Sequence, residues 1–342
     1  MNISRIETFT ILLIGFLFLG CNQKPHQSFY YWKSVYQLSS NEKAIVKQLD
    51  ISKLYIRFFD VDVDESSGKP LPVATIAFND SLLPAVEVVP VVFVVNKTLK
   101  KTALNDIPVL ASHIVDQVTD IASRNHINFN ELQLDCDWTD GTKEKYFHLL
   151  RSVKSGLSQN QLLSATIRLH QVKYKEIAGL PPVDRGMLMY YNMGKISAEL
   201  SHNSVFNTAD AAKYIDHLSG YPLPLDVALP AFSWGIHIRN NQVIDLISRI
   251  NSSGYENHPG FKRLDVSTFV ARQSFFYRGY YFMENDRVKI EEISPEQCLI
   301  AAQQLKSKLT KQVGSVAIYH LDSLILTHYE KEDFEKVFDI YR

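Results

Sequence analysis

Apolar side chains in this sequence come in short dense runs, separated by longer stretches in which they recur at helical spacing. The dense runs fall at 29–36, 53–59, 86–95, 131–138, 162–169, 186–193, 225–234 and 315–321. The third of them, Val86 to Val95, is almost wholly apolar, as a strand covered on both faces must be. Between the runs, 106–124 opens with Asp106, carries Pro108 in its first turn and repeats Leu110, Ile114, Val118 and Ile121 on one face. The stretch 142–157 lines up Tyr146, Leu149, Leu150 and Val153 in the same way. Further helices are predicted over 208–218, 242–250, 295–309 and 330–341, the last with acidic residues in its first turn. Strand–helix alternation repeated eight times predicts an α/β fold, a (β/α)8 TIM barrel. An open doubly wound sheet is the alternative, but no Gly-rich phosphate turn follows the first strand.

Two connections break the rhythm. Residues 63–85 form a long loop between the second and third strands. Residues 252–293 interrupt the step from strand 7 to strand 8, reading as strands and a hairpin with its turn near Glu284-Asn285-Asp286. This segment is expected to be an insertion in the barrel, too short to hold much core of its own.

The amino terminus follows different rules. The apolar run 9–19 is too short to span a bilayer, which takes about 20 residues, and fits the core of a secretory signal. It ends in Phe18-Leu19-Gly20-Cys21, which resembles the lipobox of bacterial lipoproteins. The resemblance implies cleavage before Cys21, acylation of its thiol and attachment to the cell envelope. The alternative is an ordinary signal peptide followed by a chance cysteine. The expected organisation is a signal over 1–20, a polar tether over 21–28 and the barrel over 29–342. With Cys21 assigned to lipid, Cys136 and Cys298 remain. They could pair in an oxidising compartment, but Cys136 lies within a strand pattern and is expected to be a buried free thiol.

Composition narrows the partners. Lys and Arg number 36 against 37 Asp and Glu, so the basic excess that phosphate binding needs is absent and no nucleic-acid partner is expected. With 46% apolar and 21% charged residues the chain is no disordered polymer. Seventeen Tyr and 19 Phe leave room for stacking surfaces. The eleven histidines show no metal-ligand spacing, and neither a metal nor a cofactor is expected. Asp60-Val61-Asp62-Val63-Asp64 looks like the start of a calcium loop, but Glu65 stands where such a loop needs glycine.

In barrels of this kind chemistry sits at the carboxyl ends of the strands. The fourth strand ends Leu134-Asp135-Cys136-Asp137-Trp138-Thr139-Asp140, and alternation sends Asp135, Asp137 and Thr139 to the inner face. Two carboxylates on one strand face are costly to bury without a partner or a task. Either they belong to a functional cleft, or hydrogen bonds to neighbouring strands tie them up.

The same stretch resembles the DxxDxDxE signature of glycoside hydrolase family 18, the chitinase-like barrels, with Asp135, Asp137 and Trp138 matching its D-x-D-W core. Met189-Tyr190-Tyr191-Asn192 resembles the family's M-x-Y-D, with Asn192 in place of the aspartate. Leu229-Pro230-Ala231-Phe232 resembles its L-P-x-Y segment, and Tyr319-His320-Leu321-Asp322 its W-x-x-D, with Tyr319 at the tryptophan. The resemblance implies a glycan ligand, N-acetylated in the family's substrate-assisted mechanism. There a glutamate protonates the leaving oxygen and the adjacent aspartate orients the acetamido group. Carried over, Asp137 orients and Tyr191 donates a hydrogen bond.

Two departures stand out. Leu132 replaces the first aspartate of the signature, and Thr139 replaces the glutamate. A threonine hydroxyl has no pKa near neutrality and cannot be the acid. Asp140 could fill the gap if a bulge turned it inward, or it could cap the helix that follows. Asp60 and Asp322 are the other candidate donors. Trp138, Trp234, Tyr191 and Tyr319 could form a stacking floor, with Asn192, Arg168 and Asp322 as polar contacts. Arg57 and Arg168 could instead be tied to Asp135 or Asp137. The expected protein is a monomeric, lipid-anchored barrel that binds or hydrolyses a glycan. A non-catalytic carbohydrate binder and an envelope scaffold with a flat or apolar mouth are the alternatives.

Overall fold

The structure, a computed structural model, describes residues 24–199 and 202–342. The signal segment and Cys21 lie outside the described residues. Eight parallel strands close the barrel: β1 His26–Tyr31, β2 Lys53–Val63, β3 Glu87–Val94, β4 Glu131–Asp135, β5 Leu162–Arg168, β6 Arg185–Met189, β7 Leu225–Pro230 and β8 Ser315–Tyr319; a ninth, Pro70–Val73, in the connection expected to be a loop, adds antiparallel to β2. Each of the eight pairs with the next in sequence, and β1 pairs with both β8 and β2, so the sheet closes on itself. All eight expected strands are present. The first begins at His26, so part of the expected tether is barrel wall.

Alternation along each strand separates two cores. Outward residues such as Ile56, Val92, Leu134, Ile167 and Ile318 pack beneath the helices Ile107–Arg124, Lys143–Gly156, Pro295–Lys306 and Lys331–Asp339. Inward residues fill the barrel in layers. The lowest layer is polar: Lys53 Nζ lies 3.2 Å from Glu131, Arg185 pairs with Asp226 at 2.5 Å, and the Ser28 and Ser315 hydroxyls meet at 2.8 Å. Above it lie Tyr30, Tyr55, Val91, Met187, Ala228 and Ala317, and the Tyr30 hydroxyl donates to Gln133. The interior is therefore closed from below. Only its upper end can admit a ligand.

The insertion departs from expectation in two respects. Residues 242–250, expected to be helical, contain the strand Gln242–Ser248, which pairs antiparallel with Trp234–Arg239. Apolar Val243, Ile244, Leu246 and Ile247 fit either period. The turn Asn240-Asn241, with both residues at positive φ (50° and 60°), decides for a two-residue hairpin. The insertion therefore begins at Trp234. It forms a five-stranded antiparallel sheet with Arg287–Glu291 at its centre, and a separate hairpin of Phe275–Tyr277 and Tyr280–Phe282. Glu284 and Asn285 do form a turn, but it leads from that hairpin into Arg287–Glu291. The unit also has a core of its own, built on Ile247, Tyr255, Phe261, Phe269, Phe282 and Val288. Elsewhere, 208–218 splits into the short helix Thr208–Ala212 and a 3-10 turn.

Candidate functional site

The end of β4 brings the expected aspartates together under a cation. Arg168, the last residue of β5, places Nε 2.5 Å from Asp137 Oδ1 and Nη2 3.5 Å from Asp135 Oδ1. Thr166, two residues earlier on the same inward face, donates to Asp135 Oδ1 at 2.5 Å. Asp135 is buried, whereas 57% of the Asp137 side chain is exposed. Burial raises the Asp135 carboxyl above its ordinary value and the neighbouring Asp137 adds to this, while Arg168 pulls the other way. Burial works against the Arg168 charge, but the two aspartates outweigh it and hold the guanidinium protonated. Arg168 is thus tied to Asp135 and Asp137 together.

The residues that follow turn away from the mouth. Thr139 precedes the 3-10 turn Asp140–Thr142; its N–H donates to Thr142 Oγ1 at 3.0 Å, and its hydroxyl lies 3.3 Å from that same oxygen. Asp140 is not an inward acid. Its side chain is exposed and paired with Lys143 at 3.1 Å, at the start of the next helix. Trp138 is not a stacking surface either. It is buried on the outer face, stacked on Tyr146 with ring centres 4.9 Å apart, and its Nε1 donates to the Ala178 carbonyl at 3.0 Å. The alternation that aims Asp137 inward aims Trp138 outward.

Two strands away from β4, a bulge between Arg57 and Phe59 shifts the register of β2. Arg57 and Asp60, three residues apart, thereby share the inner side, and Arg57 grips Asp60 through two bonds of 2.6 Å. Arg57 is therefore tied to Asp60 rather than to Asp135 or Asp137. Its guanidinium lies 5.6 Å from the Trp32 ring centre. Burial pushes the Asp60 carboxyl up despite the pairing with Arg57. Asp64 accepts hydrogen bonds from Ser66 and Ser67 and closes a surface turn.

Tyr319 forms the floor; Tyr191 packs against it, ring centres 5.0 Å apart, without lining the cavity, and the Tyr191 hydroxyl donates to the Met189 sulfur at 3.1 Å. Phe232 packs edge-on against both of them and against Trp234. The Trp234 Nε1 donates to Glu291 at 2.9 Å, which fixes the ring between barrel and insertion. Above this floor opens a cavity of about 710 Å³, lined by Trp32, Phe232, Trp234 and Tyr319, with Arg57, Asn192, Arg249 and Asp322 among its polar groups. An aromatic wall with a few converging polar groups is the usual make-up of a small-ligand site. The cavity lies toward β7, β8 and the insertion, and Asp135, Asp137 and Arg168 are not in its wall. Asp322 is buried and paired with Arg249 at 2.8 Å.

Among the wall residues that the sequence did not single out are Trp32, Arg249 and His320. Trp32 continues the inward alternation of Ser28 and Tyr30, a signal that was readable. Arg249 and His320 left none. His320 follows a cis Tyr319–His320 peptide, and its Nδ1 is enclosed without a hydrogen-bond partner. Cys136 is free and buried, as expected, Cys298 is free and buried too, and burial raises both thiols.

The fold is that of the glycoside hydrolase family 18-like (β/α)8 barrels, in divergent form. No protein-family model matches the chain, and no curated protein matches it in sequence. Solved structures do match. The spore cortex-lytic enzyme SleL of Bacillus cereus superposes with a TM-score of 0.55 at 11% identity, over 94% of this chain and 75% of that one. A mutant family 18 chitinase of Cycas revoluta, in complex with (GlcNAc)4, gives 0.54 at 15% identity, over 93% of this chain and 100% of that one. A chitinase of Bacteroides thetaiotaomicron gives 0.55 at 10% identity, over 93% and 96%. At these identities the likeness is one of fold.

Proposed function

We propose that this protein is a lipid-anchored envelope barrel that binds an N-acetylated glycan in its mouth and does not cleave it by the family's acid mechanism. The observation that carries the reading is the state of the β4 end. The position of the acid is Thr139, turned into a helix start, and Arg168 is tied to both remaining aspartates. A substrate-assisted hydrolase needs a protonated acid at the leaving oxygen and a free carboxylate at the acetamido group. The first requirement is not met at Thr139, and Arg168 occupies one oxygen of the Asp137 carboxylate that would serve the second. Binding needs only the aromatic cavity beside them, which is intact.

Two structures of the Cycas chitinase hold GlcNAc oligomers, and this supports the choice of ligand class. The scaffold alternative expects a flat or apolar mouth; a cavity of about 710 Å³ weighs against a flat one, and Arg57, Asn192, Arg249 and Asp322 in its wall weigh against a purely apolar one. The test is calorimetric titration with N-acetylated oligosaccharides of increasing length, followed by recovery of the ligand. Heat of binding with intact sugar is expected, and no binding across the whole panel would overturn the reading. Anchoring rests on the Phe18-Leu19-Gly20-Cys21 segment. A Cys21→Ser variant should move from the membrane fraction to the soluble one, and unchanged membrane retention would remove the anchor from the account.

A further inference from the structure

The cavity above Tyr319 has a neighbour. A second cavity of about 590 Å³ adjoins it, and the two share Ser248, Arg249, Asp322 and Leu324 in their walls. Among these shared residues Arg249 and Asp322 form an ion pair at 2.8 Å. It is an uneven pair: Asp322 is buried, whereas 58% of the Arg249 side chain is exposed. The Asp322 oxygen nearest Arg249 is buried and makes no well-aligned hydrogen bond. Because they share these wall residues, with Arg249 half exposed between them, the two cavities lie as successive stretches of one groove.

The second stretch differs in charge. Its ionisable wall residues are Arg249, Arg278 and Asp322, an excess of positive charge. Arg278 sits at the tip of the hairpin Phe275–Tyr277 and Tyr280–Phe282, held by the left-handed turn Arg278-Gly279 (φ 51° and 86°). Its neighbours on the insertion, Arg239 and Arg263, are tied to Asp286 and Glu256, but Arg278 enters no ion pair among the described residues. Beside it, Tyr280 offers a half-buried ring.

We propose that the glycan groove continues past the Arg249–Asp322 pair and that Arg278 receives a carboxylate carried by the sugar lying in the second cavity. This rests on the glycan-binding reading and adds the substrate class to it: an acidic rather than a neutral oligosaccharide. The planar guanidinium fork matches a carboxylate with two parallel hydrogen bonds, and the hairpin holds the side chain's base in place. A lactyl ether and a uronic acid would present the same group.

The experiment compares three tetrasaccharides: the N-acetylglucosamine tetramer, its counterpart with alternating N-acetylmuramic acid, and a hyaluronan tetrasaccharide with alternating glucuronate. The wild type should bind at least one acidic tetramer more tightly than the neutral one. Arg278→Gln should weaken that acidic ligand by roughly fivefold, the worth of one exposed ion pair. Binding of the neutral tetramer should be unchanged, and Arg278→Lys should keep part of the preference. Wild type and Arg278→Gln binding the acidic tetramers equally, or losing neutral and acidic ligands alike, would overturn the proposal. Binding of the neutral tetramer with no acidic preference would overturn it while leaving the glycan reading standing. Binding of none of the three would sink both.

Discussion

Between Asp135 and Asp137 the Arg168 guanidinium faces both carboxylates, one buried and one open to solvent. Alternation along β4 was enough to aim both aspartates inward, and the same rule excludes Trp138, whose ring lies under the helices. What alternation cannot supply is a partner from another strand, or a bulge. Arg57 and Asp60 differ by three in sequence and share a face only because β2 shifts register between them. At this scale His320 gives a measurable consequence. Burial lowers its pKa to about 4, with Asp322 opposing and Lys33 and Arg249 adding to the fall. A histidine whose folded value lies below its unfolded value stabilises the fold while neutral. That contribution is present above about pH 6.5 and is lost as pH falls through about 4, at roughly 1.4 kcal/mol per unit. The melting temperature of His320→Gln should therefore fall less than that of the wild type between pH 6.5 and 4. Parallel curves would show that His320 is not the group responsible.

At the scale of elements, strands and the longer helices were legible because period and length agreed. The run from Val86 to Val95 is too apolar for anything but a doubly covered strand, and 106–124 has proline in its first turn and an apolar stripe, although Asp106 makes no capping hydrogen bond. The hairpin at Asn240-Asn241 was misread because its second strand carries apolar residues in adjacent pairs, which satisfy a helix as well as a two-sided strand. Turn chemistry, not periodicity, held the answer. Both asparagines sit at positive φ, where an ordinary L-residue is strained. Asn241→Ala should destabilise the insertion by roughly 1 kcal/mol, and Asn241→Gly should be nearly neutral. Chemical denaturation followed through insertion fluorescence checks this. Equal effects of the two substitutions would mean that the left-handed turn is not what sets the register.

At the scale of the whole molecule, a closed barrel with a polar lower layer and an inserted sheet leaves one open end, and the aromatic cavity sits there between them. The barrel was readable from eight repeats of one pattern. The position of the cavity was not, because its walls come from the ends of β1, β2, β6, β7 and β8 and from an insertion that begins at Trp234. Asp135 and Asp137 do not line this cavity, and the proposed binding without cleavage rests on that arrangement. The most direct measurement is chromatography of the N-acetylglucosamine tetramer after long incubation with the wild type and with Asp137→Ala, at protein concentrations where calorimetry shows the sugar bound. The account expects the tetramer to be recovered intact from both. Release of shorter oligomers by the wild type, abolished in Asp137→Ala, would contradict it.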